Sequence, residues 1–330
     1  MQFHHFVLMF CQYGLFVACS FADLHFPREE VLTPELMPLQ GITSPLRVEV
    51  KHPFLILQNM KQTDSLFHIY NLANYELKNT FGIKGEGPDE FVLPWLLQTQ
   101  LSTVFIEDRH SLHQFDIDEE GLPVFKGIKQ PNHINEIYEA AFINDSLYVV
   151  DAMYTAPCLY LLTLQDELPK KSWQYRNPGF IDYYADPAMG RVYANESRII
   201  FCYGYKKQID FMDIEFNLIK SVKFKYTPSI NINSENQGDV KMSYVHSYLG
   251  KRYLYSLFLG ISWNEHRAQS THGTILEVYD LSGNPVARYQ LAGRRPVYFA
   301  VDEETFMLYG AGDDGDPENY LLVYKLKGLS

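Results

Sequence analysis

Phe81-Gly82-Ile83-Lys84-Gly85-Glu86-Gly87-Pro88-Asp89-Glu90-Phe91 is the stretch whose reading organises the rest of the chain. Glycine accepts positive φ and proline fixes φ at about −65°, so this segment is a sharp, preset turn. Short runs of alternating apolar and polar residues flank it, the period of half-buried β-strands. It reads as the passage from the outer strand of one sheet to the inner strand of the next, with Phe91 expected to wedge between the two sheets. The glycine spacing is wrong for a dinucleotide fingerprint, and Pro88-Asp89-Glu90-Phe91-Val92 leads into a strand, not a helix that could hold a pyrophosphate. Its backbone NH groups have the makings of an anion nest, but the flanking strands predict a structural turn.

Outward from this turn, one seven-residue segment recurs six times. Its copies are 66–72, 111–117, 158–164, 208–214, 275–281 and 320–326. They end at Leu72, Ile117, Leu164, Ile214, Leu281 and Leu326, so successive copies are offset by 45, 47, 50, 67 and 45 residues. A four-stranded propeller blade takes roughly 40–50 residues. The expected fold is therefore all-β: a six-bladed β-propeller of four-stranded antiparallel blades, each a meander A-B-C-D with the repeated segment as strand C. Strand B is expected at 54–58, 103–107, 146–151, 198–203, 253–259 and 305–310, and strand D of the first blade at 76–81.

The sixth copy ends four residues before the C-terminus at Ser330, which leaves no room for a D strand. A ring must close to protect its edges. An N-terminal strand should supply the outer strand of the last blade, and Val31 to Leu39 is the candidate, its Pro34 and Pro38 suited only to an outermost edge. No linker and no second domain interrupts the propeller, expected over 31–330.

Composition agrees. Tyr 24 and Phe 22 suit strands better than a helical bundle. A net charge of −12, without a basic cluster, argues against nucleic acid as a partner. Of four cysteines, Cys11 and Cys19 fall in an apolar leader, and Cys158 and Cys202 are expected to be buried, unpaired thiols. No zinc-like Cys/His spacing occurs. The leader runs Phe6 to Ala18 and ends Phe16-Val17-Ala18-Cys19-Ser20, so 1–18 reads as a signal peptide, Cys19 as a lipidated first residue and 19–30 as a tether. Met1 to His5 lacks the usual Lys or Arg, and a plain secretory signal or a buried strand are the other readings.

In such a meander the B–C and D–A loops share one face, and the A–B and C–D hairpins the other. The extra length in the offset of 67 falls at Thr227–Val240 (D–A) and Gly260–Gly273 (B–C), side by side on the first face. Insertions gathered on one face mark a binding surface. The candidate ligand residues there are Arg109, His110, Tyr154, Tyr205, Lys206, His266, Arg267, Arg294 and Arg295. This mix of cations and aromatics suits a polar organic ligand, a sugar or a peptide. Asp313, Asp314 and Asp316 form the one carboxylate cluster with promise for calcium, although their spacing fails the EF-hand pattern and also describes a solvated acidic turn. No GxSxG elbow or HExxH motif is present.

The leader ending in Cys19, the Gly-x-Gly-Pro-x-Glu-Phe turn at 85–91 and the six strand C segments together resemble the TolB-like or NHL-like six-bladed propeller lipoproteins of Gram-negative gut anaerobes. The resemblance implies the fold and a place in the cell envelope, and Ser20 after Cys19 implies the outer membrane. It supplies no functional residues. Two functions follow as expectations. One is an envelope-anchored monomer that binds a protein, peptide or glycan without a cofactor. The alternative is a periplasmic hydrolase, lactonase or lyase with a divalent metal in the central funnel.

Overall fold

The computed structural model describes residues 25–329 except 60, 88–89, 110, 131–136, 153–157, 166–167, 178, 181, 225–231, 234, 269–273, 294 and 313–318. Six four-stranded antiparallel blades form a propeller. Blade 1 is Pro45–Lys51, Phe54–Asn59, Phe67–Asn71 and Leu77–Phe81. Blade 2 is Pro94–Leu96, Val104–Asp108, Ser111–Ile117 and Pro123–Lys129. Blade 3 is Ile137–Phe142, Leu147–Ala152, Leu159–Thr163 and Lys171–Trp173. Blade 4 is Gly190–Asn195, Arg198–Tyr203, Gln208–Met212 and Leu218–Lys223. Blade 5 is Tyr244–Leu249, Tyr253–Phe258, Thr274–Asp280 and Pro285–Leu291. The chain's end supplies A, B and C of blade 6 as Tyr298–Asp302, Met307–Ala311 and Tyr320–Lys325. Each repeated segment falls on a C strand.

Several C strands turn into D strands through a side-chain device. Asp118, Asp213 and Asp280 each accept two backbone NH groups downstream, from Glu120 and Leu122, Glu215 and Asn217, and Ser282 and Asn284. An aspartate in this role mimics a turn's backbone hydrogen bonding, so the recurrent acid is structural.

The closing strand is Glu35–Pro38, antiparallel to Tyr320–Lys325 with Met37 opposite Leu321. The expected single strand at 31–39 is in fact divided. Glu29–Leu32 runs parallel to the outer strand of blade 5, and Pro34 lies between the two segments. Packing begins still earlier, where Phe26 meets the edge of the Tyr279 ring at 5.6 Å. Beyond the strand, the Gln40 and Gly41 carbonyls accept from Tyr70 Oη and His68 Nε2 of blade 1. The N-terminal segment is thus a strap over blades 5, 6 and 1. One buried apolar cluster fills both of these seams and includes Leu32, Met37, Leu39 and Ile42 of the strap. Separate clusters fill the seams between blades 1 and 2, 2 and 3, 3 and 4, and 4 and 5.

The turn at 81–91 bridges blades 1 and 2 as expected. Ile83–Lys84 pairs in parallel with Glu90–Phe91, and Phe91 is buried against Phe67 of blade 1 and His113 of blade 2. The would-be anion nest holds the chain's own carboxylate, since Glu90 Oε2 accepts from the Gly87 NH at 2.8 Å. A Cβ at Gly85 would lie 1.9 Å from that oxygen, so a side chain there would push the Glu90 carboxylate off its bond to the Gly87 NH. Cys158 and Cys202 are buried free thiols, and burial pushes the Cys202 thiol up to about 12. The leader with Cys19 lies outside the described residues.

Four substitutions test these assignments by denaturant unfolding. Met37 is 7% exposed and its neighbour Leu36 58%. Met37→Ala is expected to destabilise by about 2–5 kcal/mol, and Leu36→Ala to stay within about 0.5 kcal/mol. Equal effects would show that the strap does not close the ring in this register. Gly85→Ala should cost about 1–3 kcal/mol. The cost should shrink when Glu90→Ala removes the clashing carboxylate.

Candidate functional site

The two insertions meet. In the D–A connection entering blade 5, Gln237–Asp239 forms a 3-10 turn, and in that blade's B–C loop Trp263–Ala268 forms a short α-helix. Asn264 Nδ2 donates to Asp239 Oδ1 at 2.6 Å. A bridge pairs Lys241 with Ser262, and the Met242 NH donates to the Ile261 carbonyl at 3.0 Å. The helix starts at a capping box: Ser262 Oγ accepts from the Glu265 NH, and Glu265 Oε2 accepts from the Ser262 NH. At its other end, Arg295 Nη2 donates to the His266 carbonyl at 2.6 Å, a cation placed where a helix C-terminus favours one.

The residues singled out from sequence therefore divide. His266, Arg267 and Arg295 come together around this helix. His266 and Arg295 are buried, and exposed Arg267 donates to Asn264 Oδ1 at 2.6 Å. Tyr205 is also buried, and its hydroxyl donates to the Tyr184 carbonyl at 2.8 Å, tying blade 4's B–C loop to the connection from blade 3. Lys206 lies half-buried with its ammonium 5.2 Å from the Tyr203 ring centre, and burial lowers its pKa. Arg109 stands alone on blade 2's B–C turn, exposed and at φ 59°. His110, Tyr154, Arg294 and the Asp313, Asp314 and Asp316 cluster lie outside the described residues. Among the described residues no group of three or more His, Cys, Asp or Glu side chains is placed to hold a metal ion.

A second group was not found from sequence. The A strands start on the B–C/D–A face, so their first residues ring the central channel's mouth there. Arg47, Trp95, Glu139, Arg191 and Tyr298 all hold such positions. The Arg47 guanidinium carbon lies 4.6 Å from the Trp95 ring centre and 5.2 Å from that of Tyr298; Arg191 approaches Tyr298 at 6.0 Å. Arg191 Nη1 also pairs with Glu139 Oε1 at 3.6 Å. Burial raises the Tyr298 phenol's pKa, but Arg191 and Arg47 outweigh it and hold the group below its ordinary value. Just below sits buried His246, whose pKa falls well under the usual imidazole range through burial and the same two arginines. Burial carries the Glu107 carboxyl up to about 8, opposed by Arg47 and assisted by Glu139. The mouth thus gathers two guanidinium groups beside the Glu139 carboxylate and the Tyr298 phenol.

The opposite end of the channel opens into a larger cavity of about 540 Å³, lined by Lys51, His52, Asp118, Asp302 and Glu303 among others. Its charges serve each other and the backbone. Lys51 Nζ pairs with Glu49 at 2.8 Å and donates to the Thr99 carbonyl. His52 Nε2 meets Asp302 Oδ1 at 2.9 Å. The Glu303 carboxylate accepts from the NH groups of Lys251, Arg252 and Tyr253.

Residues 25–178 match the family model of TolB-like, 6-blade propeller-like proteins. Among solved structures, the chain is similar to a member of the DUF4221 family from Bacteroides vulgatus ATCC 8482. That likeness has 15% identity, covers 89% of this chain and 97% of that one, and has a TM-score of 0.56. Raptor from Chaetomium thermophilum is similar at 10% identity over 91% of this chain and 29% of its own, with a TM-score of 0.48. No curated protein matches the sequence. The matched residues cover the strap and the first three blades, over which the chain is similar to the TolB-like family, and the six blades of the ring make it a six-bladed β-propeller.

Proposed function

We propose that this propeller is a binding module that works through its B–C/D–A face, docking a protein, peptide or glycan there while Cys19 anchors the chain to the cell envelope. The likeness of residues 25–178 to TolB-like propellers supports a binding or interaction role in general. The observation that carries the choice of face is the docking of its two insertions on one another. A capped helix, a 3-10 turn and a buried arginine make one built platform out of what tolerated decoration would leave as two separate loops. Rigid placement of a surface keeps the ordering entropy of binding low. The contact is also spatially demanding, since a Cβ on Gly238 would come within 2.9 Å of Asn264 Nδ2.

Two measurements test this reading. A photo-crosslinker at Arg267 should trap a discrete partner in native envelope, and one at exposed Leu122 should not; Asn264→Ala should weaken the trapping and raise hydrogen exchange over 235–242, at a cost of about 1 kcal/mol locally. Equal trapping at both positions would remove the case for this face. Cys19→Ala should move the chain from the membrane fraction to the soluble one, and unchanged sedimentation with membranes would refute the lipid anchor.

A further inference from the structure

The mouth cluster and the small cavity beneath it share their walls. Arg47, Gln98, Glu139 and His246 all line a space of about 20 Å³ in the channel, room for one hydroxyl or water-sized group. Each also presents a buried polar atom without a hydrogen-bond partner: Arg47 Nε, Gln98 Oε1, Glu139 Oε2 and His246 Nδ1. His246 and Glu139 are themselves 4% and 9% exposed. Unpartnered polar atoms at such depth are costly, and four of them on residues that line one space point to a ligand.

Their chemistry can be assigned. Gln98 Nε2 reaches the Phe299 carbonyl at 2.8 Å and His246 Nε2 at 3.1 Å. An amide nitrogen has two hydrogens to give; His246 Nε2 also lies 3.4 Å from the Phe299 carbonyl, a contact that would need the other tautomer, and the shorter bond from Gln98 favours the imidazole proton on Nδ1, as a donor. The residues lining the cavity thus carry two unpartnered donors, Arg47 Nε and His246 Nδ1, and two unpartnered acceptors, Gln98 Oε1 and Glu139 Oε2. A hydroxyl, which both gives and takes, suits that set.

Above it, charge decides. Arg47 and Arg191 bring two cations against the Glu139 carboxylate, and burial raises the Glu107 carboxyl to about 8, which favours its neutral form. The two guanidinium groups therefore set the charge of the mouth. The Trp95 and Tyr298 rings flank the Arg47 guanidinium and fix its plane. A pre-oriented guanidinium favours a carboxylate, which it can grip with two hydrogen bonds.

We propose that the channel mouth binds a hydroxylated carboxylate of the sugar-acid type, its carboxylate on Arg47 and Arg191, its ring or chain against Trp95 and Tyr298, and one hydroxyl in the cavity below. The inference rests on the B–C/D–A side being the working face and names the ligand class for it.

Calorimetric titration of the full chain with D-glucuronate, D-glucose and acetate tests it. Glucuronate is expected to saturate, glucose to give no saturable heat, and acetate to bind at least tenfold more weakly. Arg47→Gln and Arg191→Gln should each weaken glucuronate at least tenfold; if the first fails to fold, the second carries the test. Glucuronate should also suppress the tyrosinate absorbance at 295 nm near pH 9, a change that Tyr298→Phe abolishes, because a bound anion offsets the arginines that favour the phenolate. No saturable signal with glucuronate, equal binding of glucose or acetate, or full affinity in Arg191→Gln would overturn the site. A chain that fails these titrations but still crosslinks through position 267 loses this ligand and keeps its face, whereas one that passes them and crosslinks nothing keeps the site alone.

Discussion

Closure of the ring is the constraint on which the rest depends. A sheet's edge exposes unpaired NH and C=O groups, and a blade lacking its outer strand presents such an edge along its C strand. Here Glu35–Pro38 covers Tyr320–Lys325, so the strap and the last strand are held together by backbone hydrogen bonds. Most of the apolar burial at that seam comes from residues far apart in sequence, such as Met37, Val48, Tyr255 and Leu322 in one cluster. The added parallel pairing of Glu29–Leu32 with blade 5 spreads the load over a second blade. Such closure joins contacts of the greatest sequence separation, the kind whose loop entropy is met before the contacts reward it.

A closed ring also dictates where charge can lie. Six A strands converge on one axis, and side chains near it lose water without gaining an ordinary apolar core. At the lower end the charges pair internally, as Lys51 does with Glu49 at almost no exposure, with Glu49 Oε2 left without a hydrogen-bond partner. Burial raises the Glu49 pKa and lowers that of Lys51, with each partner opposing the other's shift. At the upper end the pairing is incomplete. Arg191 leans on Glu139, but Arg47 has ring faces and one carbonyl as its company, its Nη1 donating to the Leu96 oxygen at 3.1 Å. Residual unpaired charge at one end of an otherwise balanced channel is a local departure from stability-led packing, and such departures concentrate at functional sites.

The blade repeat was legible because strand C carries a period of two and ends at a turn residue, and because a blade's length is nearly fixed. The turn at 81–91 was legible for a similar local reason, its glycines and proline having few other uses. The strap's division was not. Val31 and Leu32 look like a continuation of the strand at Glu35–Pro38, and nothing local says that Pro34 is a crossing from one blade to the next. The platform had a signal that went unread: Ser262-Trp263-Asn264-Glu265 is a capping box, which announces a helix inside the long B–C insertion. His266 and Arg295 were legible as neighbours on one face, but their burial depends on how that helix folds back. The mouth residues were hidden for a deeper reason. Arg47, Arg191 and Tyr298 belong to strands in which polar and apolar residues alternate as on any half-solvated sheet. Only the closure of the ring turns their polar side towards an axis.

The two ends of the channel show why volume is a poor guide to a site. The lower cavity is far larger, and its acids would attract a cation if they were free. They are engaged: Glu303 is spent on three NH groups of the blade 5 hairpin, and Asp302 on Thr305 Oγ1, the Glu304 NH and His52. A ligand there would have to displace bonds that hold the A–B hairpins of blades 5 and 6, and would be repaid only by equivalent ones. In the small cavity under the upper mouth a ligand's hydroxyl would meet residues that carry unpartnered buried atoms, Arg47, Gln98, Glu139 and His246, so a new hydrogen bond there relieves a desolvation penalty already present in the free protein. The difference in what binding must break, more than the difference in space, separates the two ends. It favours the face on which the chain also built its platform.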